Sequence, residues 1–282
     1  MSDTEMPSWG RCLCAVLLIG MGQLAVTGQA SAGDDARVAF PEKFMLRLSS
    51  YSLQNAETGV SVNSKNGTGI GTNIDFSRDL GGDDSVTVPR LDMYYRFNPR
   101  HRIDFGTYTV KRSGERTLNI EIEFEDEIYA IGERIDSEIE YTMYRIGYSY
   151  SFYHSDRVEL SLSAGLNVMD YAFELSNSDG SNASDADVTA PLPMTGVRIA
   201  YAINDNWSVH YLAETFFIEI EDTLKGSLIN SEVTLRYRMF DHFILGAGFA
   251  DFSTDLEAED SDWNGRVEES SRGYILFLSY YM

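Results

Sequence analysis

One segment of the sequence places a serine, a histidine and a carboxylate at spacings that could support hydrolysis. Ser208 lies two residues before His210, and Glu214 lies four residues after it. Alternate residues of a β-strand share a face, so His210 and Glu214 are a candidate base and orienting acid. No serine is marked as the nucleophile, since the members of such a set commonly come from separate strands. We therefore expect His210 to be an interior histidine and predict no catalytic residue.

A second candidate chemistry involves charged side chains that recur on one face of several strand-like segments. The predicted inward-facing residues are Arg47, Arg90, Asp92, Arg96, Asp104, Arg145, Glu159, Arg198, His210, Glu214, Glu232, Arg236 and Arg238. Such residues either fill a small barrel with salt bridges between neighbouring strands, or they line a pore and set which solutes pass. The arginines among them would favour anionic solutes if the pore is open.

The elements that would carry these residues are β-strands. In residues 158–168, Val, Leu and Ala alternate with Glu, Ser, Gly and Asn, and similar alternation appears in 90–97, 103–106, 197–203, 207–214 and 229–238. A period of two indicates strands with one apolar and one polar face. After residue 32 no uninterrupted apolar run approaches the length of about 18 residues that a membrane helix needs, which excludes a helical membrane bundle.

The N-terminal 32 residues are predicted to be a signal peptide. An apolar stretch over residues 13–28 follows Arg11, and Ala30-Ser31-Ala32 is typical of a cleavage site. An uncleaved anchor is the alternative, although Gly20, Gly22 and Gln23 interrupt the stretch. Residues 33–43 are predicted to be a short periplasmic leader.

Composition excludes several classes of function. Both cysteines, Cys12 and Cys14, lie in the predicted signal peptide, so the mature chain is expected to have no disulfide, thiolate catalyst or cysteine metal site. The formal net charge of −22 makes nucleic acid an unfavourable partner, because nothing would offset the phosphate charge. We predict no cofactor and no resident metal.

The connections between the strands alternate in length. Short turns lie near residues 98–101, 154–156, 204–206 and 241–242, whereas long acidic connections are predicted at 114–137, 174–189, 221–227 and 253–270. Aromatic residues predicted at a lipid–water interface are Tyr95, Phe97, Tyr150, Phe152, Tyr201, Trp207, Tyr237, Phe243 and Tyr280. This pattern predicts that residues 44–282 form a transmembrane antiparallel up-and-down β-barrel, with short turns in the periplasm and long loops outside the cell.

The final segment alternates apolar residues at Tyr274, Leu276, Leu278 and Tyr280 and stops at Met282. This resembles the C-terminal signature of bacterial outer-membrane β-barrel proteins, which has an aromatic third from the end. Met282 departs from the signature, which prefers Phe in the last position. The resemblance implies insertion into the Gram-negative outer membrane by the barrel-assembly machinery, among outer-membrane lipid and lipopolysaccharide. It implies nothing about the solute.

The strand number should be even, because both ends of the chain are expected in the periplasm. Nine strands are predicted near residues 93, 107, 146, 163, 198, 212, 233, 247 and 277. Residues 44–78 must supply one or three more. Phe44 to Leu53, Thr58 to Asn63 and Gly69 to Phe76 each alternate, so we predict twelve strands, with ten as the alternative.

Three functions are compatible with this architecture. The first is a narrow passive channel for small solutes, the second a structural or surface-interaction barrel, and the third an outer-membrane hydrolase. Residues 115–140 contain ten acids, and Ile120, Ile122 and Phe124 predict a hairpin standing above the membrane. The acids there and at residues 255–262 are candidate ligands for divalent cations, although neither segment matches a spaced calcium loop.

Overall fold

The computed structural model describes residue 40 and residues 42–62, 73–124, 127–178, 183–220, 224–259 and 264–282. The predicted signal peptide lies outside these ranges, as does most of the predicted leader. Within the described ranges, no helix is both long and apolar enough to cross a membrane.

Thirteen strands and one short helix lie in these ranges. They are β1 (Phe44–Val62), β2 (Ile74–Asp75), α1 (Phe76–Leu80), β3 (Val86–Asn98), β4 (His101–Thr117), β5 (Ile122–Phe124), β6 (Glu127–Tyr129), β7 (Arg134–His154), β8 (Val158–Asn177), β9 (Ala183–Ala202), β10 (Trp207–Ile220), β11 (Leu224–Phe240), β12 (Phe243–Glu259) and β13 (Asn264–Tyr281).

Ten of these strands form a closed antiparallel β-barrel. The order is β1-β3-β4-β7-β8-β9-β10-β11-β12-β13, and β13 pairs back onto β1 with Met45 opposite Tyr281. Closure leaves the barrel wall without a free edge. The all-β, up-and-down class is confirmed, as is the alternative of ten strands, whereas the prediction of twelve is wrong.

The error arises at a bulge in β1. The register against β13 shifts between Gln54 and Glu57, and Asn55 has a positive φ of 50°. The bulge moves the buried positions from odd numbers, ending at Leu53, to even numbers, beginning at Ala56. One continuous strand therefore resembles two in sequence.

The segment predicted as a third strand, Gly69 to Phe76, is described from residue 73 onward. In this described part Ile74 and Asp75 pair with Val60 and Gly59 of β1, and the chain then turns into α1. Residues 69–72 lie outside the described ranges.

Each long strand reverses its polarity along its length. In β13 the residues that face outward are first charged or polar and then apolar, changing between Arg272 and Tyr274. In β8 the inward face changes in the opposite sense, from Phe173 and Leu175 in the projecting half to Glu159 and Ser161 near the short-turn rim. One half of the barrel is therefore apolar outside and polar inside, and the other half is the reverse.

The apolar outer half forms a continuous band next to the short turns. On β13 it runs from Tyr274 to Met282, a length close to the roughly 9–11 residues of a tilted membrane-spanning strand. Exposed members on other strands include Leu48, Leu91, Ile146, Leu235 and Leu245. All nine predicted interface aromatics lie on strands of this band; Tyr150 and Tyr237 are partly buried and the other seven are exposed.

The four segments predicted as long loops are largely strand. β4 continues to Thr117, β8 to Asn177 and β12 to Glu259, because inward apolar residues alternate with outward polar ones as in an ordinary sheet. The strands therefore project well beyond the apolar band.

The end of the barrel opposite the short turns is closed by packed side chains. Phe76 and Leu80 of α1 are buried, as are Ile122 and Phe124 of β5. The hydroxyl of Tyr129 in β6 donates to the Leu175 carbonyl and bonds to Ser184 Oγ, both at 3.0 Å. The hairpin predicted within residues 115–140 is formed by β5 and β6, and it packs onto the barrel.

The position of the apolar band is testable with two arginine substitutions on one face of β13. Leu278→Arg should lower the free energy of unfolding in phospholipid vesicles by about 2–4 kcal/mol, because a charge near the bilayer midplane is unfavourable. The matched control, Ser270→Arg, also faces outward but lies beyond the band, so it should change stability little. Equal effects of the two substitutions would contradict this placement.

Candidate functional site

The half of the barrel inside the apolar band encloses a cavity of about 660 Å³. Its mouth lies at the short-turn rim, where Asp156, Arg157 and residues 204–206 contribute to the lining. The predicted inward-facing residues that line it are Arg47, Arg90, Asp92, Arg96, Asp104, Arg145, Glu159, Arg198, His210, Glu232, Arg236 and Arg238. Glu214 is buried and pairs with two of them.

Ion pairs cross the lumen between strands that are not neighbours. Glu232 of β11 lies 3.1 Å from Arg47 Nη1 of β1 through one oxygen and 3.1 Å from Arg90 Nη1 of β3 through the other. Arg90 also pairs with Asp92 at 2.9 Å. Pairing between adjacent strands was the expectation, and Arg198 of β9 with Glu214 of β10 is such a pair. Most of the other inward-facing pairs join residues of one strand or strands at least three places apart.

A second network lies on the other side of the lumen. Glu214 of β10 pairs with Arg145 of β7 and lies 3.5 Å from Arg198 Nη2 of β9. Arg198 Nη2 also lies 3.8 Å from Asp104 of β4, whose carboxylate pairs with Arg102 at 3.0 Å. Three carboxylates in the two networks, Glu232, Glu214 and Asp104, are each shared between two or more arginines.

Two further pairs lie nearer the rim. Arg96 holds Glu159 through two contacts of 2.9 and 3.1 Å, which is the bidentate geometry that a guanidinium and a carboxylate favour. Arg238 Nη2 lies 2.7 Å from Glu42, just before β1. Both pairs join distant parts of the wall and so brace the mouth of the cavity.

Positive charge exceeds negative charge in this interior. Apart from the exposed rim residues Asp156, Arg157 and Asp205, its arginines are Arg47, Arg90, Arg96, Arg102, Arg145, Arg198, Arg236 and Arg238, and its carboxylates are Glu42, Asp92, Asp104, Glu159, Glu214 and Glu232. Eight guanidinium groups therefore face six carboxylates in a chain whose formal net charge is −22. An arginine-rich, partly desolvated cavity of this kind attracts anions.

The candidate hydrolytic residues are arranged differently from the expectation. Ser208 Oγ lies 3.0 Å from His210 Nε2, but Glu214 is bound by Arg145 and Arg198 instead of orienting the histidine. The Phe40 ring packs edge-on against His210, with centroids 5.0 Å apart. The serine–histidine contact is present without the predicted acid.

Aromatic residues lie above the ion pairs. Tyr51, Tyr108, Tyr141 and Tyr171 follow one another around the inner wall with ring centroids 5.4 to 6.3 Å apart. Tyr171 donates to the buried carboxylate of Glu269 at 3.2 Å.

Glu269 lies beyond the apolar band and is only 2 % exposed. Burial raises its pKa above the ordinary glutamate value, while Tyr141, Arg112 and Tyr171 oppose the shift. The tyrosines and this carboxylate separate the charged cavity from the apolar core at the far end.

Sequence reasoning missed two members of the site. Arg102 shares the inward parity of Asp104, so extending the alternation by one step would have found it. Glu42 precedes β1, and no strand pattern marks it. Among the described residues, no group of three or more His, Cys, Asp or Glu side chains is arranged to hold a metal ion.

Comparison with known proteins places the fold without assigning an activity. The model of a family described as "Protein of unknown function, DUF481" matches residues 138–260, less than half of the chain. No curated protein matches the chain.

Several solved structures of bacterial outer-membrane barrels resemble this chain. The outer membrane protease OmpT from Escherichia coli superposes with a TM-score of 0.57 at 9% identity, covering 88% of this chain and 99% of its own. OprG from Pseudomonas aeruginosa gives 0.40 at 10% identity over 88% and 99%. Ail of Yersinia pestis gives 0.37 at 12% identity over 84% and 99%. At these identities the likeness to OmpT establishes the barrel fold and nothing about chemistry.

The ion pairs that cross the lumen should be strongly coupled to stability. Glu232→Gln leaves Arg47 and Arg90 without their shared carboxylate, and it should lower the free energy of unfolding by about 3–5 kcal/mol. Asp255→Asn removes one partner of the half-exposed Arg266 on the outer wall, so it should cost less than about 1 kcal/mol. Urea titration in vesicles measures both, and equal losses would refute the assignment.

Proposed function

We propose that this chain is a bacterial outer-membrane β-barrel, with its short turns in the periplasm and its projecting strands outside the cell. The supporting observation is the apolar band, because the outward residues within it would otherwise be exposed to water. The exposed apolar residues at alternate positions of β13, Tyr274, Leu276, Leu278 and Tyr280, support insertion by the barrel-assembly machinery.

Within this barrel, we propose a narrow passive pathway for small polar solutes. The observation that carries the proposal is the 660 Å³ charged cavity, which opens at the short-turn rim and ends below packed side chains. Half of a pathway is therefore present, and the other half is closed by the tyrosine layer, the apolar core, α1 and the β5–β6 hairpin. Conduction requires that this closed half moves.

A surface-interaction barrel is the second candidate. The projecting wall carries outward charges such as Glu138, Glu140, Asp255 and Glu268, several of which pair with Lys111 or Arg266. A charged wall outside the membrane suits contact with lipopolysaccharide, directly or through divalent cations. The hydrolase alternative is less well supported, since Glu214 is engaged by arginines.

The asymmetric lumen can be tested with single cysteines in a background where serine replaces Cys12 and Cys14. Ser208→Cys lies at the cavity, so a charged, membrane-impermeant thiol reagent added on the periplasmic side should modify it. Ser271→Cys, buried in the projecting half, should react at least ten-fold more slowly from either side. Similar rates at the two positions would show that the lumen is not closed as described.

Conductance in planar bilayers then separates a pathway from a structural barrel. The unmodified protein should conduct rarely, and the double variant Ile122→Asp with Phe124→Asp should conduct several-fold more often, because charge is introduced into the apolar closure. If neither protein conducts after confirmed insertion into the bilayer, the proposed pathway is refuted. Urea titration of the variant checks that the barrel remains folded.

A further inference from the structure

The uncompensated charge in the cavity is concentrated around one side chain, Arg236 of β11. Within the described part of the chain, no carboxylate lies within 4.0 Å of its guanidinium. Its only hydrogen bond there is a long one, 3.4 Å from Nε to Thr234 Oγ1. The Phe277 ring lies below it with a centroid distance of 5.9 Å. Arg236 therefore faces the cavity with its terminal nitrogens free to donate.

The neighbours of Arg236 add positive charge. The charges of Arg47 and Arg102 act on Arg236, while Tyr94 and Glu232 oppose them. All three arginines, together with Arg198, act on His210. These charges lie on β1, β4, β9 and β11, so they surround the cavity instead of lining one side.

Several donors in this group lack an acceptor. Arg47 is 5 % exposed, and its buried Nε has no hydrogen-bond partner among the described residues. The same holds for Nε of Arg198. An unsatisfied guanidinium N–H in a desolvated site costs free energy, which an oxyanion in the cavity would relieve.

The Phe277 ring packs against two arginines of this group, Arg47 and Arg236. It lies 4.3 Å from the Arg47 guanidinium carbon and crosses Gly246, where an added Cβ would come within 2.1 Å of the ring. Glycine is therefore required for this close approach.

We propose that the cavity contains a binding site for a small, doubly charged oxyanion, of which inorganic phosphate and phosphate monoesters are the representative class. Arg236 is its central donor, and Arg47, Arg102 and Arg198 surround it. Two negative charges would neutralise the excess of eight guanidinium groups over six carboxylates. Planar guanidinium groups also match the oxygen geometry of phosphate.

The inference rests on the proposed function only in that the anion enters from the short-turn rim. The cavity volume of about 660 Å³ accommodates a monoester as well as the free ion. Ser208 and Thr234 beside Arg236 offer hydroxyl groups to further oxygens, and His210 offers a ring nitrogen.

The test is calorimetric titration of the detergent-solubilised full chain with inorganic phosphate at low ionic strength, with glycerol 3-phosphate as a second probe and glycerol as a neutral control. We expect both phosphates to bind and glycerol not to bind. Arg236→Gln should weaken phosphate binding at least ten-fold. Arg266→Gln removes the same charge from the projecting outer wall and should leave binding unchanged.

A second variant tests the charge argument without removing Arg236. Thr234→Asp places a carboxylate beside the guanidinium, so it should weaken phosphate binding as strongly as Arg236→Gln while keeping the arginine. Unaltered binding in either lumen variant, or equal weakening by Arg266→Gln, would overturn the site.

Failure of the oxyanion site and failure of the proposed pathway give different experimental results. Modification of Ser208→Cys from the short-turn side with no phosphate binding would refute the oxyanion site and leave the pathway intact. Phosphate binding by a barrel that never conducts, even in the double variant Ile122→Asp with Phe124→Asp, would refute the pathway and keep the site. Failure of a lumen variant to fold is detected by urea titration, and the milder Arg236→Lys then replaces it, with an expected intermediate loss.

Discussion

The ion pairs that cross the lumen are the interaction on which the remaining structure depends. The interior of a ten-stranded barrel has to be filled by side chains. Burying charged side chains there costs free energy unless each charge is paired. Arg47, Arg90, Arg145 and Arg198 reach carboxylates on strands three or more places away. They brace the wall from inside and leave a cavity at the end of the lumen next to the short-turn rim.

The reversal of polarity along the strands follows from the same constraint. Where hydrocarbon surrounds the barrel, apolar residues must face out and polar ones in, so the interior has to be stabilised by charge pairs. Where the strands project beyond the band, the outer face is charged, as at Arg266 and Glu268, and the interior can pack as an ordinary hydrophobic core. One barrel thus contains two interiors, with tyrosines and Glu269 at their boundary.

Much of the fold was predictable because period two survives both environments. The nine strands from β3 to β13 that belong to the barrel wall, and the inward parity of the charged residues, follow from alternation alone. The bulge at Asn55 was not predictable, since a shift of parity within a strand and a break between strands look alike in sequence. Acidic composition likewise concealed the projecting strands at residues 174–177 and 253–259, because charge on an outer face does not oppose strand formation.

The site was predictable as a set of residues but not as a set of partners. Parity places Glu214 and His210 on one face, yet only the closed barrel brings Arg145 and Arg198 to that carboxylate. Which arginine remains without an acid depends on three-dimensional distances across the lumen. Arg236 is indistinguishable in sequence from Arg238, which meets Glu42.

The projecting charged wall also constrains how the barrel is assembled. Residues such as Asp251, Asp255, Arg266 and Arg272 face outward on β12 and β13, and on the proposed orientation they end up beyond the far leaflet. Carrying each of them through the bilayer midplane on a finished barrel would cost up to about 2–4 kcal/mol per charge, which sums to a prohibitive barrier. These strand ends must therefore cross while the wall is still open or shielded, so that translocation precedes closure of the β13–β1 seam.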